Sequence, residues 1–163
     1  MLQLIYNKKG LVMNTIFLDI DGVLNNAQTT EHSPAGFIGI DDELLQNLAK
    51  IVKETESQIV LVSSWKEYWE KDGESADSDG IYIDEKMDEV GLIVCDKTVD
   101  NWSNRGEGIY NYVKKHKIKN FVILDDEIFE DYAKFDLLDN LYKIDSNLGI
   151  TEDDIENIIK FLQ

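Results

Sequence analysis

Five short apolar runs recur along the chain: Ile16-Phe17-Leu18, Ile59-Val60-Leu61-Val62, Leu92-Ile93-Val94, Phe121-Val122-Ile123-Leu124 and Leu141-Tyr142-Lys143-Ile144. A strand with one solvent-facing side alternates apolar and polar residues. Continuous apolarity instead marks strands buried on both faces, as in parallel sheets. Between the runs lie stretches with helical spacing. Leu44, Leu45, Leu48, Ile51 and Val52 share one face of a helix that Asp41 can cap. Ile109, Tyr112 and Val113 mark a second helix, with Asn104 as its expected cap and Glu107 reaching back. Ile155, Ile158, Ile159 and Leu162 mark the last, opened by Thr151 with Asp154 at the capping-box position. Strand–helix alternation of this kind predicts an α/β fold: a Rossmann-like parallel sheet of about five strands, with helices on both faces and right-handed crossovers.

Two segments stand outside that pattern. Residues 67–90 include the acidic, small-residue stretch EYWEKDGESADSDG, which reads as an exposed loop with weak helical character from Glu85 to Val90. Residues 1–12 read as an N-terminal extension, because Met13 immediately precedes the first strong strand; the expected domain is 13–163. At 163 residues there is room for one sizeable core and not for two ordinary domains.

Composition narrows the chemistry. Cys95 is the only cysteine, and His32 and His116 are the only histidines, so neither an internal disulfide nor a thiolate or histidine metal cluster is available. The 33 acidic side chains against 16 basic ones give a formal charge of −17. A metal here would be a hard cation held by oxygen, and strong nucleic-acid affinity is not expected of so acidic a surface. No apolar run approaches the ~20 residues that span a bilayer, and the leader has the wrong charge order for a secretory signal. The expectation is a cytoplasmic protein without membrane partners.

Three motifs fall at the carboxyl ends of predicted strands, where open parallel sheets bind ligands, and a fourth opens a helix expected at the same sheet edge. The densest is FLDIDGVLN, in which Asp19 ends the first strand, Asp21 follows two residues on, and Gly22 allows a sharp turn. Two carboxylates so close repel unless a cation sits between them or one is protonated. Ser63, in IVLVSSWK, directly follows the second strand and could donate to a phosphate oxygen. Arg105, in NRGEGI, opens a helix whose N-terminus already favours anions. Asp125 and Asp126, in VILDDE, suit a hard cation with octahedral oxygen coordination. Each has a plainer reading as well: turn former, helix cap or solvated surface. What favours chemistry is the joint occurrence of a DxD, a hydroxyl, a cation and a DD at one sheet edge.

This ordered set resembles the haloacid dehalogenase superfamily, whose motifs are a DxD, a Ser or Thr, a Lys or Arg, and an acidic pair. In detail it looks like small bacterial and phage members carrying SSW, RGE and LDD at the last three motifs; similar domains occur in proteins proposed to repair RNA ends. The resemblance runs from about Ile16 to the last helix. It implies Asp19 as the nucleophile forming an aspartyl-phosphate, Asp21 as general acid and base, and Ser63 and Arg105 as binders of the phosphoryl group. It further implies Mg²⁺ held by Asp19, the Asp21 backbone carbonyl and Asp125, with Asp126 close by. Lys97 and Lys66 are alternatives to Arg105. With about forty residues between Asp21 and Ser63, no large cap domain fits; only a small flap around Asn26–Ile40 does. The implied activity is a phosphomonoesterase. Nucleic-acid end repair and a non-catalytic binding module are the alternatives.

Overall fold

The structure, a computed structural model, describes residues 13–101 and 103–163. The expectation for residues 1–12 lies outside the described residues. Five parallel strands, β1 (Thr15–Leu18), β2 (Gln58–Leu61), β3 (Val94–Lys97), β4 (Phe121–Asp125) and β5 (Leu141–Lys143), form one sheet in the order β3-β2-β1-β4-β5. Among the described residues the α-helices are α1 (Asp42–Thr55), α2 (Ser78–Glu89), α3 (Arg105–His116), α4 (Asp131–Lys134) and α5 (Glu152–Phe161). This is the expected Rossmann-like α/β arrangement, and the described residues include no cap domain.

Period-two alternation along the strands divides the core in two. Ile16, Leu18, Ile59, Leu61, Val122 and Leu124 face one side, where Leu45 and Leu48 of α1, Ile83 and Met87 of α2 and Ile158 of α5 cover them. Phe17, Val60 and Ile123 face the other, under Ile109 of α3 and Tyr132 of α4. All of these side chains are essentially removed from water. Burial on both faces is what the continuous apolar runs recorded.

The caps explain most helix starts. Asp41 accepts from the backbone N–H groups of Glu43 and Leu44, and Thr151 and Asp154 make the full capping box of α5. The third expectation needs correction. The Asn104 side chain makes no capping bond to α3; its amide instead donates to Glu107 (2.8 Å). The α3 N-terminus is capped from α4, where Asp131 accepts from Gly106 N (3.0 Å) and Glu107 N (2.8 Å).

Two element boundaries differ from the sequence expectation. The third strand is Val94–Lys97, not Leu92–Val94: Leu92 N–H bonds back to Met87 O, and its side chain is buried in the core. Most of the expected 67–90 loop is ordered structure, with short 3₁₀ turns at Ser64–Glu67 and Lys71–Gly73 followed by α2. Asp77 starts that helix by accepting from Asp79 N. Its buried face includes Asp79, Gly80 and Lys86 as well as Tyr82, Ile83 and Met87, so no clean apolar stripe is present to be read. The polar members are paired. Asp79 accepts from Ala35 N (3.1 Å), and Lys86 binds Glu31 (3.0 Å), Glu89 (3.3 Å) and Asp42.

These bonds fasten the Asn26–Ile40 segment. It is a small turn closed by an antiparallel bridge between His32 and Ile38. Tyr82 adds two more ties, accepting from Ile40 N (2.9 Å) and donating to Glu31 (3.1 Å). Among the described residues no helix is long and apolar enough to cross a membrane.

Candidate active site

Strand order reverses between β1 and β4: the chain runs outward from β1 through β2 to β3, then returns to β4 on the other side. Such a switch point leaves a crevice beyond the strand ends. Leu18 is level with both Leu61 and Leu124. The next residue, Asp19, therefore emerges between Val62 and Asp125, and its N–H bonds Leu124 O (3.0 Å).

Asp19, Asp125 and Asp126 converge here, offering carboxylate oxygens that all lie within 4.8 Å of one another. Asp19 is 6% exposed and Asp125 fully buried. Arg105 joins them: its Nη1 is 2.9 Å from Asp125 Oδ2 and 3.4 Å from Asp19 Oδ2. Its guanidinium also lies over the Phe129 ring, 4.2 Å from the centroid, a favourable seat for a desolvated cation. Asp125 is held further by Tyr132 O–H (2.7 Å, at Oδ2) and by Glu127 N–H (3.0 Å, at Oδ1).

Three carboxylates facing one guanidinium leave a formal excess of two negative charges. Burial holds the Asp19 carboxyl well above the ordinary carboxylate range; Arg105 opposes this, while Asp125 and Asp126 add to it. Burial, and then Asp125, likewise raise Asp126. Arg105 is driven the other way: burial would discharge it, but Asp19 and Asp125 outweigh burial and raise its pKa further. An all-oxygen, net-negative donor set of this size fits a hard divalent cation such as Mg²⁺. Gly22 makes the convergence geometrically feasible. Its φ of 78° suits glycine, and a Cβ there would collide with the Asp126 carboxylate.

The Asp21 carboxylate stands apart from this cluster. It is exposed, and its two oxygens accept from Asn25 Nδ2 (3.0 Å) and Trp65 Nε1 (3.1 Å). Asn25 also accepts from Gly22 N (2.9 Å), so the turn and the carboxylate are locked together. Ser63 is fully buried, and its hydroxyl oxygen accepts from Trp65 N (3.2 Å), capping the Ser64–Glu67 turn. The plain capping reading of Ser63 thus holds. Among the described residues no acceptor takes its proton, which leaves the O–H to donate elsewhere. By capping that turn, Ser63 also fixes the indole that holds Asp21.

Neither alternative cation reaches Asp19. Lys97 Nζ donates to the carbonyls of Lys66 (3.0 Å) and Trp69 (2.6 Å) and pairs with Glu70 (3.2 Å). Lys66 is buried against Asp100 (2.5 Å) and Thr98 (3.2 Å). Burial pulls its pKa down, Asp100 resists, and the nearby Arg105 charge adds to the fall.

No sequence signal marks the roles of Asn25, Trp65, Asp131 and Tyr132. The first two sit inside the quoted DGVLN and SSW strings, where their identity was visible and their task was not. Asp131 and Tyr132 lie on a four-residue helix without periodicity, and only the tertiary fold brings them to Arg105 and Asp125. At Gly106 and Gly108 an added Cβ would press on Asp131 (2.6 Å) and Asp100 (2.6 Å) respectively, a constraint that sequence pattern does not reveal.

Among curated proteins none matches the chain. A solved structure from Legionella pneumophila, assigned to the HAD superfamily (subfamily III A) of hydrolases, is similar with a TM-score of 0.42 and 13% identity, over 93% of this chain and 70% of that one. Residues 15–155 match the family described as the HAD domain in Swiss Army Knife RNA repair proteins, a span covering most of the sequence, and the chain belongs to that family.

Proposed function

We propose that the chain is a Mg²⁺-dependent phosphomonoesterase working through an aspartyl-phosphate on Asp19. The observation that carries this reading is the buried Asp19 carboxylate at the switch point, 3.4 Å from Arg105 and grouped with Asp125 and Asp126. Asp19, Asp125 and Asp126, with the Asp21 backbone carbonyl, would hold the cation. Bound there, Mg²⁺ would neutralise charge on the carboxylates and on the phosphoryl oxygens.

The protein's own groups supply the rest. An Asp19 oxygen attacks phosphorus in line, and the bond from phosphorus to the ester oxygen breaks. Asp21, aimed by Asn25 and Trp65, gives its proton to that leaving oxygen. In the second half-reaction Asp21 takes a proton from water as the water attacks phosphorus, releasing phosphate and restoring Asp19. Arg105 offsets repulsion between Asp19 and the incoming dianion, and the Ser63 hydroxyl donates to a phosphoryl oxygen.

Turnover of a chromogenic phosphate ester with and without Mg²⁺ tests the reading. Hydrolysis should require Mg²⁺ and stop with EDTA, whereas Ca²⁺ should support it poorly because its coordination is looser. Absence of turnover in Mg²⁺ would leave a non-catalytic binding module. Binding has a separate readout. Raised carboxyl pKa values mean that the metal-free fold binds more protons than the unfolded chain, so it loses stability as pH rises towards those values. Mg²⁺ should therefore raise the thermal midpoint, and by more at pH 8 than at pH 6.

Asp21→Asn should lower kcat by about 10²–10⁴-fold, because it serves both half-reactions. Since its carboxylate lies outside the metal cluster, Mg²⁺-dependent stabilisation should persist in that variant. Loss of the stabilisation together with activity would assign Asp21 to the metal rather than to the proton.

A second reading, a phosphatase for nucleic-acid ends, draws support from the RNA-repair description of the family. The charge of −17 weighs against long polyanionic substrates.

A further inference from the structure

Next to Trp65, the indole that binds Asp21, the surface carries aromatic rings that the catalytic scheme does not use. Phe37 is 51% exposed and Tyr68 is 38% exposed. Their rings are nearly parallel, 24° apart in plane with centroids separated by 6.5 Å. Phe37 also packs edge-on against Trp65 (6.1 Å), the buried indole that donates to Asp21.

Both rings are presented on fixed backbone. Ser33 accepts from Phe37 N (3.2 Å) and its own N–H bonds Phe37 O (2.9 Å), while the turn carrying them is tied to α2 through Asp79, Tyr82 and Lys86. Tyr68 closes the Ser64–Glu67 turn through its N–H to Trp65 O (3.0 Å). A large apolar ring held rigidly in water loses the benefit of burial and gains no freedom in exchange. That cost is understandable where a planar ligand covers the ring.

We infer that Phe37 and Tyr68 form a stacking seat for the nucleobase of a nucleotide substrate whose phosphate is cleaved at Asp19. The inference rests on the phosphatase reading and names its substrate class. Asp21 serves the leaving oxygen, so the group released must extend past Asp21, towards Trp65 and the two rings. An aryl ester carries its ring directly on the leaving oxygen, which would put it at Asp21. Phe37 and Tyr68 are one indole farther out, and a ribose provides such a spacer between phosphate and base. Aromatic side chains accept any base, because every base has a π-face. The net charge of −17 disfavours a long phosphate backbone, so the ligand is a mononucleotide or the terminal nucleotide of a short strand.

The test is calorimetric binding in Mg²⁺ to the full chain carrying Asp19→Asn, which should hold a phosphate ester without consuming it. Ligands are adenosine 5′-monophosphate, adenosine 3′-monophosphate, ribose 5-phosphate and a trinucleotide with a terminal phosphate. The better mononucleotide should bind about 5- to 150-fold more tightly than ribose 5-phosphate, the range expected for one stacked base. Phe37→Ala and Tyr68→Ala should each reduce that preference, the double variant should abolish it, and Phe37→Trp should keep it. A trinucleotide binding at least as well as the mononucleotide identifies strand ends as the source; weaker binding identifies the free nucleotide. No preference for the base, or a preference surviving the double variant, overturns the seat. The two readings fail separately: base-dependent binding without turnover by the unmodified chain removes the phosphatase, and turnover without base preference removes only the seat.

Discussion

Asp19→Asn should lose phosphatase activity by on the order of 10⁴-fold or more, the scale seen when a nucleophile is removed from a cooperating set, while the fold stays intact. The amide is nearly isosteric with the carboxyl but cannot attack phosphorus. Its effect on stability should be opposite in sign to its effect on turnover. Burial and two neighbouring carboxylates make an ionised Asp19 costly in the metal-free chain, so replacing it relieves a repulsion. Arg105 keeps its closer partner, Asp125 at 2.9 Å. The metal-free variant at pH 8 should therefore melt no lower than the unmodified chain. A folded variant with near-normal kcat would remove Asp19 from the nucleophile's role.

Arg105→Ala should be costly twice over. It strips the guanidinium from two carboxylates that are 6% and 0% exposed, and unpairing a buried charge costs about 3–5 kcal/mol. It also empties the site above the Phe129 ring. Tyr132 still satisfies one oxygen of Asp125, which places the expected loss towards the lower part of that range. Lys66 cannot substitute, being bound to Asp100 at 2.5 Å. Urea unfolding should show the loss, and Mg²⁺ should recover part of it by neutralising the same carboxylates. Activity should fall with it, and Arg105→Lys should restore a fraction, since charge survives but the planar fork and the stacking do not. A change below about 1 kcal/mol, the scale of an exposed ion pair, would mean that Arg105 is not the group balancing this site.

The parts of this arrangement that were legible in sequence are those set by local pattern. Strand ends are marked by where apolar runs stop, so Asp19, Ser63 and Asp125 could be assigned to one sheet edge. Arg105 followed because a helix start between two parallel strands must return to that edge. What escaped was decided by tertiary contact. The α2 helix hid because Asp79 and Lys86 are buried with polar partners supplied by Ala35, Glu31 and Asp42. The α3 cap escaped because Asp131 reaches it from 25 residues downstream, while the nearer Asn104 turned to Glu107. By sequence pattern Lys97 falls within an irregular connection after the Leu92–Val94 run, whereas in the structure it ends β3. Its ammonium is nevertheless consumed by carbonyls of the Ser64–Glu70 stretch.

The central claim is that phosphate passes through a covalent bond to Asp19. The direct measurement is to quench the enzyme during turnover in Mg²⁺, reduce the acyl phosphate with borohydride, and sequence the peptide containing Asp19 by mass spectrometry. Reduction of an aspartyl-phosphate leaves homoserine. The account predicts homoserine at position 19 only when substrate and Mg²⁺ are both present, and at neither Asp21 nor Asp125. Homoserine at another aspartate, or phosphate release with Asp19 unmodified throughout the steady state, would contradict it.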